Sequence, residues 1–273
     1  MSPSKTTPSA DAAHGAPWKR PPFEDIPTLD APTVLTQWQR LHAGQGRFAL
    51  PEDSLAEGWA AYHAGDFERA ATVGLAHGGA CGLALADRAA AIYANYLEPR
   101  EAMRLSMFRV VAERAAARAR ATPDDVQAHY WHAYALGRYS QRVSVTRALA
   151  QGLGERVKSA LERVLALDPD HADAHLALGS FHAEVIDKVG ALVGRMTYGA
   201  RPEIAVACFE RALALNPHSP IGPIEYAQAL RMLFGESRHD EAMRLLERAA
   251  ACTPADARER LDVEFAREAL GNR

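Results

Sequence analysis

Aromatic side chains make up only 7% of this 273-residue chain, and no apolar run approaches the length that crosses a bilayer. The most apolar short stretch, Val189 to Val193, is interrupted by Gly190 and soon followed by Arg195. Stretches of β-branched residues with period two are missing, so no sheet is expected. Charge of the two signs nearly balances, at −3 overall, which leaves no global field toward nucleic acid or an acidic membrane. Cysteine is limited to Cys81, Cys208 and Cys252, far apart and without a CxxC pair. Free thiols in a reducing compartment are expected, not disulfides. The polar segment from Met1 to Pro17 lacks the apolar core of a signal peptide, and the chain reads as a soluble cytoplasmic protein. GxSxG, a phosphate-cradling glycine loop and HExxH are all absent, so no enzyme activity and no cofactor are expected.

What the chain does contain is one phrase written three times. Val157, Leu161, Val164 and Pro169 share their spacing with Ala205, Phe209, Ala212 and Pro217, and with Ala242, Leu246, Ala249 and Pro254. Glu-Arg follows the large central residue in each copy, at Glu162-Arg163, Glu210-Arg211 and Glu247-Arg248. Small and large apolar residues at steps of four and three mark one face of a helix, and the proline ends it. Repeated helical units cannot bury such faces alone and do so by stacking. The prolines Pro123, Pro169, Pro217 and Pro254 are 46, 48 and 37 residues apart. Against a 34-residue tetratricopeptide unit, these spacings imply insertions of about 12, 14 and 3 residues between the two helices of a unit.

The expected fold is all-α, a right-handed α-solenoid of tetratricopeptide-like helix pairs with lengthened inter-helix insertions. Residues 1–32, with seven prolines, are expected as a disordered tail. A short helix near Thr33 to Ala43 would cap the end of the solenoid through Trp38 and Leu41. The repeat domain spans 33–273, with units near 51–79, 80–123, 124–169, 170–217 and 218–256 and a capping helix over 257–270. The Arg-rich segment from Arg100 to Arg120 is read as a solvated helix face. In the middle insertion Leu178, Phe181, Val185, Val189, Leu192 and Met196 keep helical spacing, which predicts one long helix reaching toward Met196 with these residues buried.

Residues Ala128 to Ala133 (AHYWHA), Leu167-Asp168-Pro169, Ala174 to Gly179 (AHLALG) and the interruption through Tyr198-Gly199 carry a family resemblance. The block from Pro123 to Pro254 resembles tetratricopeptide repeats and, more narrowly, the regulator of microtubule dynamics family. That resemblance implies a non-enzymatic interaction protein, and no microtubule-binding residues map onto it. A second, weaker resemblance is to the helical-repeat T component of bacterial TRAP transporter systems. That family works outside the cytoplasm as a lipoprotein. The N-terminus shows no lipobox cysteine, which counts against the same role here.

The first helices of the pairs line the inside of such a superhelix. Their candidate binding positions are Trp59, Tyr62, Tyr130, Tyr134, Ser180, Gln228 and Arg231, aromatics and an arginine being typical of recognition surfaces. The expected partner is a protein or peptide held on this concave face, with no nucleic acid and no membrane insertion. The alternative is a small molecule in a cavity near the long insertion 190–201. His171 and His175, with His182 beyond, have metal-ligand spacing on one helix but no third ligand, and packing is the expected role for them and for His129 and His132. Glu184 and Asp187 form an acid pair that Lys188 and Arg195 are near enough to neutralise.

Overall fold

The computed structural model describes residues 17–271. Among these there is no strand, and the chain is an α-solenoid. The helices are α1 (Ala31–Thr36), α2 (Trp38–Leu41), α3 (Ala56–His63), α4 (Phe67–His77), α5 (Gly79–Tyr96), α6 (Glu101–Ala121), α7 (Val126–Ser140) and α8 (Val145–Ala150). They continue as α9 (Leu153–Leu167), α10 (Ala172–Val189), α11 (Ala191–Tyr198), α12 (Pro202–Leu215), α13 (Ile221–Phe234), α14 (His239–Ala250) and α15 (Ala257–Gly271). The antiparallel pairs are α3/α4, α5/α6, α7/α9, α10/α12 and α13/α14, each packed on the next. Helices α8 and α11 are insertions within the third and fourth pairs.

The repeated phrase has a physical reading. Val157, Leu161 and Val164 are buried on α9, Ala205, Phe209 and Ala212 on α12, and Ala242, Leu246 and Ala249 on α14. The arginine that follows each large residue reaches back to the turn that opens its own unit. Arg163 donates to the Pro123 carbonyl at 3.0 Å, Arg211 to the Asp170 carboxylate at 2.6 Å, and Arg248 to the Pro217 carbonyl at 2.8 Å. The two carbonyls lie in inter-unit turns, where backbone acceptors lack helical partners. His129 and His175 do the same from the first helix, donating to Pro123 and Pro169 carbonyls at 3.0 and 2.9 Å. His171 caps α10 by accepting from the Ala174 N–H. His129, His171 and His175 are thus each engaged by backbone groups, and among the described residues no group of three or more His, Cys, Asp or Glu is placed to hold a metal ion.

Several expectations are corrected. Helix α10 stops at Val189, because Gly190 takes φ +84° before α11 starts. The break turns α11 so that its Gly194 faces Val185, leaving Leu192 and Met196 exposed, not buried. The first insertion holds α8, capped by the Ser144 side chain. On α6, Arg114 and Arg118 do not belong to a solvated face: both turn inward to the buried Asp87, Arg118 at 3.5 Å. Burial pushes the Asp87 carboxyl up, against the pull of these two arginines. Of the thiols, Cys208 is buried on α12 and raised by burial to about 11, Cys81 is exposed, and Cys252 lies just past α14.

The N-terminal segment departs furthest from expectation. Residues 1–16 of the expected tail lie outside the described residues. From residue 17 onward the chain packs on the repeats: Trp18 stacks on Tyr93 at 4.3 Å, and Phe23 lies 4.0 Å beneath the Arg260 guanidinium, which also pairs with Asp25 at 2.8 Å. Trp38 and Leu41 do not cap an end. They enter the curve of the solenoid, where Trp38 meets Trp59 edge-on at 5.1 Å and donates from Nε1 to the Phe48 carbonyl at 3.1 Å. The segment then crosses to the turn between α9 and α10, where the Arg47 N–H donates to Asp168 at 2.8 Å; Gly46 (φ +57°) leaves no room for a Cβ beside that carboxylate. Scarce aromatics explain this: apolar rings gain more by joining a shared core than by staying in water.

Candidate functional site

The inside of the curve is divided into a sealed half and an open half. Helix α15 returns from the last pair to contact α3. Its first turn is tied to the N-terminal segment by a bidentate Arg40–Glu259 pair at 2.7 and 2.9 Å. Tyr96 donates to Asp262 on α15, whose buried carboxyl is pushed up to about 7 despite the nearby Arg258. Arg258, also on α15, sits 3.7 Å from Asp173 at the start of α10, and its charge is felt at Tyr62, Tyr96 and Tyr130.

At the centre of the sealed half lies a directed hydrogen-bond chain. The Arg88 guanidinium, which only donates, reaches His42 Nδ1 at 3.0 Å. His42 must then carry its proton on Nε2 and donate to His63 Nε2, 3.3 Å away. His63 in turn donates from Nδ1 to Asp256 at 2.7 Å. The chain joins the N-terminal segment, α3, α5 and the turn before α15, and all four side chains are buried. Burial first, then the Arg88 charge, holds His42 well below the ordinary imidazole range. Burial also lowers His63, against the pull of Asp256. Arg88 lies over the rings of Trp59, Tyr62 and Trp131 at 5.6, 5.1 and 5.7 Å.

The structure therefore splits the seven candidate positions. Trp59 and Tyr62 are buried in this sealed half and offer no face to a partner, while Tyr130, also buried, lies at its edge and lines the floor of the open half. Tyr134, Ser180 and Gln228 border the open half, a cleft between α7, α10 and α13. Arg231 is exposed but lines none of the cleft's branches. The aromatics went inward because the chain fills its own concavity with the N-terminal segment and α15.

The open cleft has three connected branches. A cavity of about 90 Å³ lies over an apolar floor of Tyr130, Ala133, Leu176, Ala177 and Phe181, with Arg258 and Asp173 at its inner end. A wider branch of about 260 Å³ runs past Gln228 and Met232. A third, of about 80 Å³, runs toward Tyr198 between α8 and α10. The wall is polar and internally paired. Arg138 lies over the Tyr134 ring at 5.3 Å and meets Glu225 at 2.6 Å, and Ser180 donates to the same carboxylate at 3.0 Å. Burial alone would raise the Glu225 carboxyl, but Arg138 and Ser180 bring it below its ordinary value. Glu184 accepts from Gln141 and from Lys188, the latter at 3.2 Å, so the expected acid pair with Asp187 is partly neutralised.

Sequence reasoning missed Arg138, Gln141, Glu184, Glu225 and Arg258 as parts of one wall. Two of them were within reach: Arg138 is one helical turn beyond Tyr134, and Glu225 one turn before Gln228, on the same faces. Arg258 was out of reach, since nothing local says that α15 folds back into the curve.

These features define the class: an α-solenoid of tetratricopeptide-like helix pairs with a cleft on the open part of its inner face. The chain is similar in fold to a thermophilic tetratricopeptide repeat protein of Thermus thermophilus, with a TM-score of 0.57 and 19% identity over 79% of this chain and 98% of that one. The family model for the TRAP transporter T-component matches residues 80–269, well over half of the chain, and the chain belongs to that family. The match falls on the weaker of the two family resemblances read from the sequence, not on the regulator of microtubule dynamics. No curated protein matches the chain. Among the described residues no helix is long and apolar enough to cross a membrane.

Proposed function

We infer that this protein is a non-catalytic binding component of a TRAP-type transport system, and that its α7–α10–α13 cleft holds a segment of a partner protein. The observation that carries this reading is the division of the concave face. The chain covers the inner half with its own segments and leaves one amphipathic cleft open. Most of its wall charges are already paired, Arg138 with Glu225 and Lys188 with Glu184, leaving Asp187 at the rim of the wider branch. An occupant therefore need not bring a charge. Apolar anchors fit the floor of Leu176, Ala177 and Phe181, while Gln141, Ser180 and Gln228 offer hydrogen bonds along the wall.

A second reading, a small molecule held near the long insertion, has its own support. The branch toward Tyr198 is lined mostly by apolar side chains, among them Val143, Leu149, Phe181, Val185 and Val189. Ser180→Trp fills the junction of the first two branches and tests the main reading. Affinity purification from the native host with wild type and variant is expected to lose a transport-system protein with the variant, at unchanged helicity. Equal recovery of that protein by both would refute the cleft as its seat. A small molecule seen instead by native mass spectrometry, and lost on Phe181→Ala, would favour the second reading.

A further inference from the structure

The two insertions carry an outward-facing surface of which the cleft uses only Val145 and Leu149, at the rim of its third branch. Five large hydrophobic side chains stand exposed on α8 and α11: Val145, Leu149, Leu192, Val193 and Met196. Leu192 and Met196, 73% and 80% exposed, are one turn apart on α11. They point away from the body because Gly194, on the opposite side, is pressed against Val185. No residue of α8 is buried. The Tyr198 ring lies against Gly154, and Val145 and Leu149 share a cleft with Val189 and Tyr198, so the two insertions form one shoulder.

The charge within the two insertions has one sign, with Glu155, Asp187 and Glu203 just beyond their ends. Residues 140–154 and 188–202 contain Arg142, Arg147, Lys188, Arg195 and Arg201 and no Asp or Glu, in a chain whose net charge is −3. Arg142 pairs with Glu101 and Lys188 with Glu184. Arg147, Arg195 and Arg201 have no acidic partner among the described residues, and Arg147 only leans over the Tyr139 ring at 5.9 Å. Insertions of this kind are free of the packing rules that govern the repeat helices, so neither their apolar tips nor their unpaired arginines are demanded by the fold.

We propose that the α8–α11 shoulder docks on an anionic phospholipid surface. Leu192, Met196 and Leu149 would enter the boundary between headgroups and acyl chains, while Arg147, Arg195 and Arg201 meet lipid phosphates. A second copy of the chain is a poorer occupant, because a symmetric contact would press the same three arginines together. A folded acidic protein is poorer too. The tips of Leu192 and Met196 stand clear of the surface and would need matching pockets, whereas a fluid interface accepts them without complementary shape. Apart from Val145 and Leu149 the surface lies outside the partner-binding cleft, and the proposal stands whether or not that cleft holds a protein.

The test uses the full chain and flotation with vesicles of phosphatidylcholine alone, or with about a third phosphatidylglycerol. Binding is expected to the anionic vesicles, falling at high salt, with little binding to the neutral ones. Replacing Arg147, Arg195 and Arg201 together by Gln is expected to weaken binding about a hundredfold. Leu192→Glu/Met196→Glu is expected to abolish it. Both sets alter exposed side chains, so helicity and thermal midpoint should match wild type and report that the variants are folded. Absence of binding to anionic vesicles, or binding that survives the Leu192→Glu/Met196→Glu change, overturns the proposal. So does a wild-type oligomer in light scattering that falls to monomer with those two changes, which would show that a second copy covers the face.

Discussion

Lowering the pH should loosen the sealed half of the concave face, and His42 is the side chain with which to measure it. The direction of the Arg88–His42–His63–Asp256 chain requires both imidazoles to be neutral. A proton added to His42 Nδ1 would face a guanidinium, and one added to His63 Nε2 would face the N–H of His42. Other charges around the pair are Arg258 and Glu259 from α15. Both imidazoles are held below their ordinary value, near 6.5, so below that pH the unfolded chain binds protons that the folded chain refuses. Their contribution is therefore fully present above about pH 6.5 and is lost as the pH falls, by at most about 1.4 kcal/mol per pH unit for each histidine. His132, His171 and His182, also lowered by burial, add in the same direction. Asp262 acts oppositely: raised to about 7, it holds a proton when folded and contributes stability that is lost as the pH rises through that value. Only a difference between variants isolates one member. In His42→Gln the amide oxygen can accept from Arg88 and the amide nitrogen can donate to His63, without a titrating site. Urea unfolding followed by circular dichroism between about pH 5 and 7.5 should show the variant's slope flatter by up to about 1.4 kcal/mol per pH unit. Lost ring packing against Trp38 and Phe48 would only offset the curve. Parallel curves for wild type and variant would refute the assigned proton positions.

Two further changes probe packing and the cleft wall. A Cβ on Gly179 would meet the Phe209 ring at 2.9 Å, so Gly179→Leu should destabilise by about 1–3 kcal/mol through overpacking between α10 and α12, and an unchanged melting temperature would count against that contact. Glu225→Gln removes the partner of Arg138; because the pair keeps some solvent contact, the loss should lie at or below the lower end of the about 3–5 kcal/mol seen for fully buried pairs. Replacing both Arg138 and Glu225 by Met should recover part of it, and a double variant as unstable as the sum of the singles would refute the coupling.

The repeats were legible because their information is local. The four-and-three spacing of Val157, Leu161 and Val164 fixes which face of α9 is buried, and Pro169 fixes where the unit ends, whatever the rest of the chain does. The same locality misled where a single backbone angle intervened. Leu192 and Met196 keep the helical spacing of α10, yet Gly190 redirects the chain and turns them to solvent.

The amino-acid sequence by itself determined the stacked helix pairs and the faces they bury, since each follows from residues within one or two turns of each other. Only the tertiary structure decided which part of the inner face stays open. That outcome rests on contacts such as His63 with Asp256 and Arg40 with Glu259, about 200 residues apart, whose formation depends on the curvature of the whole stack.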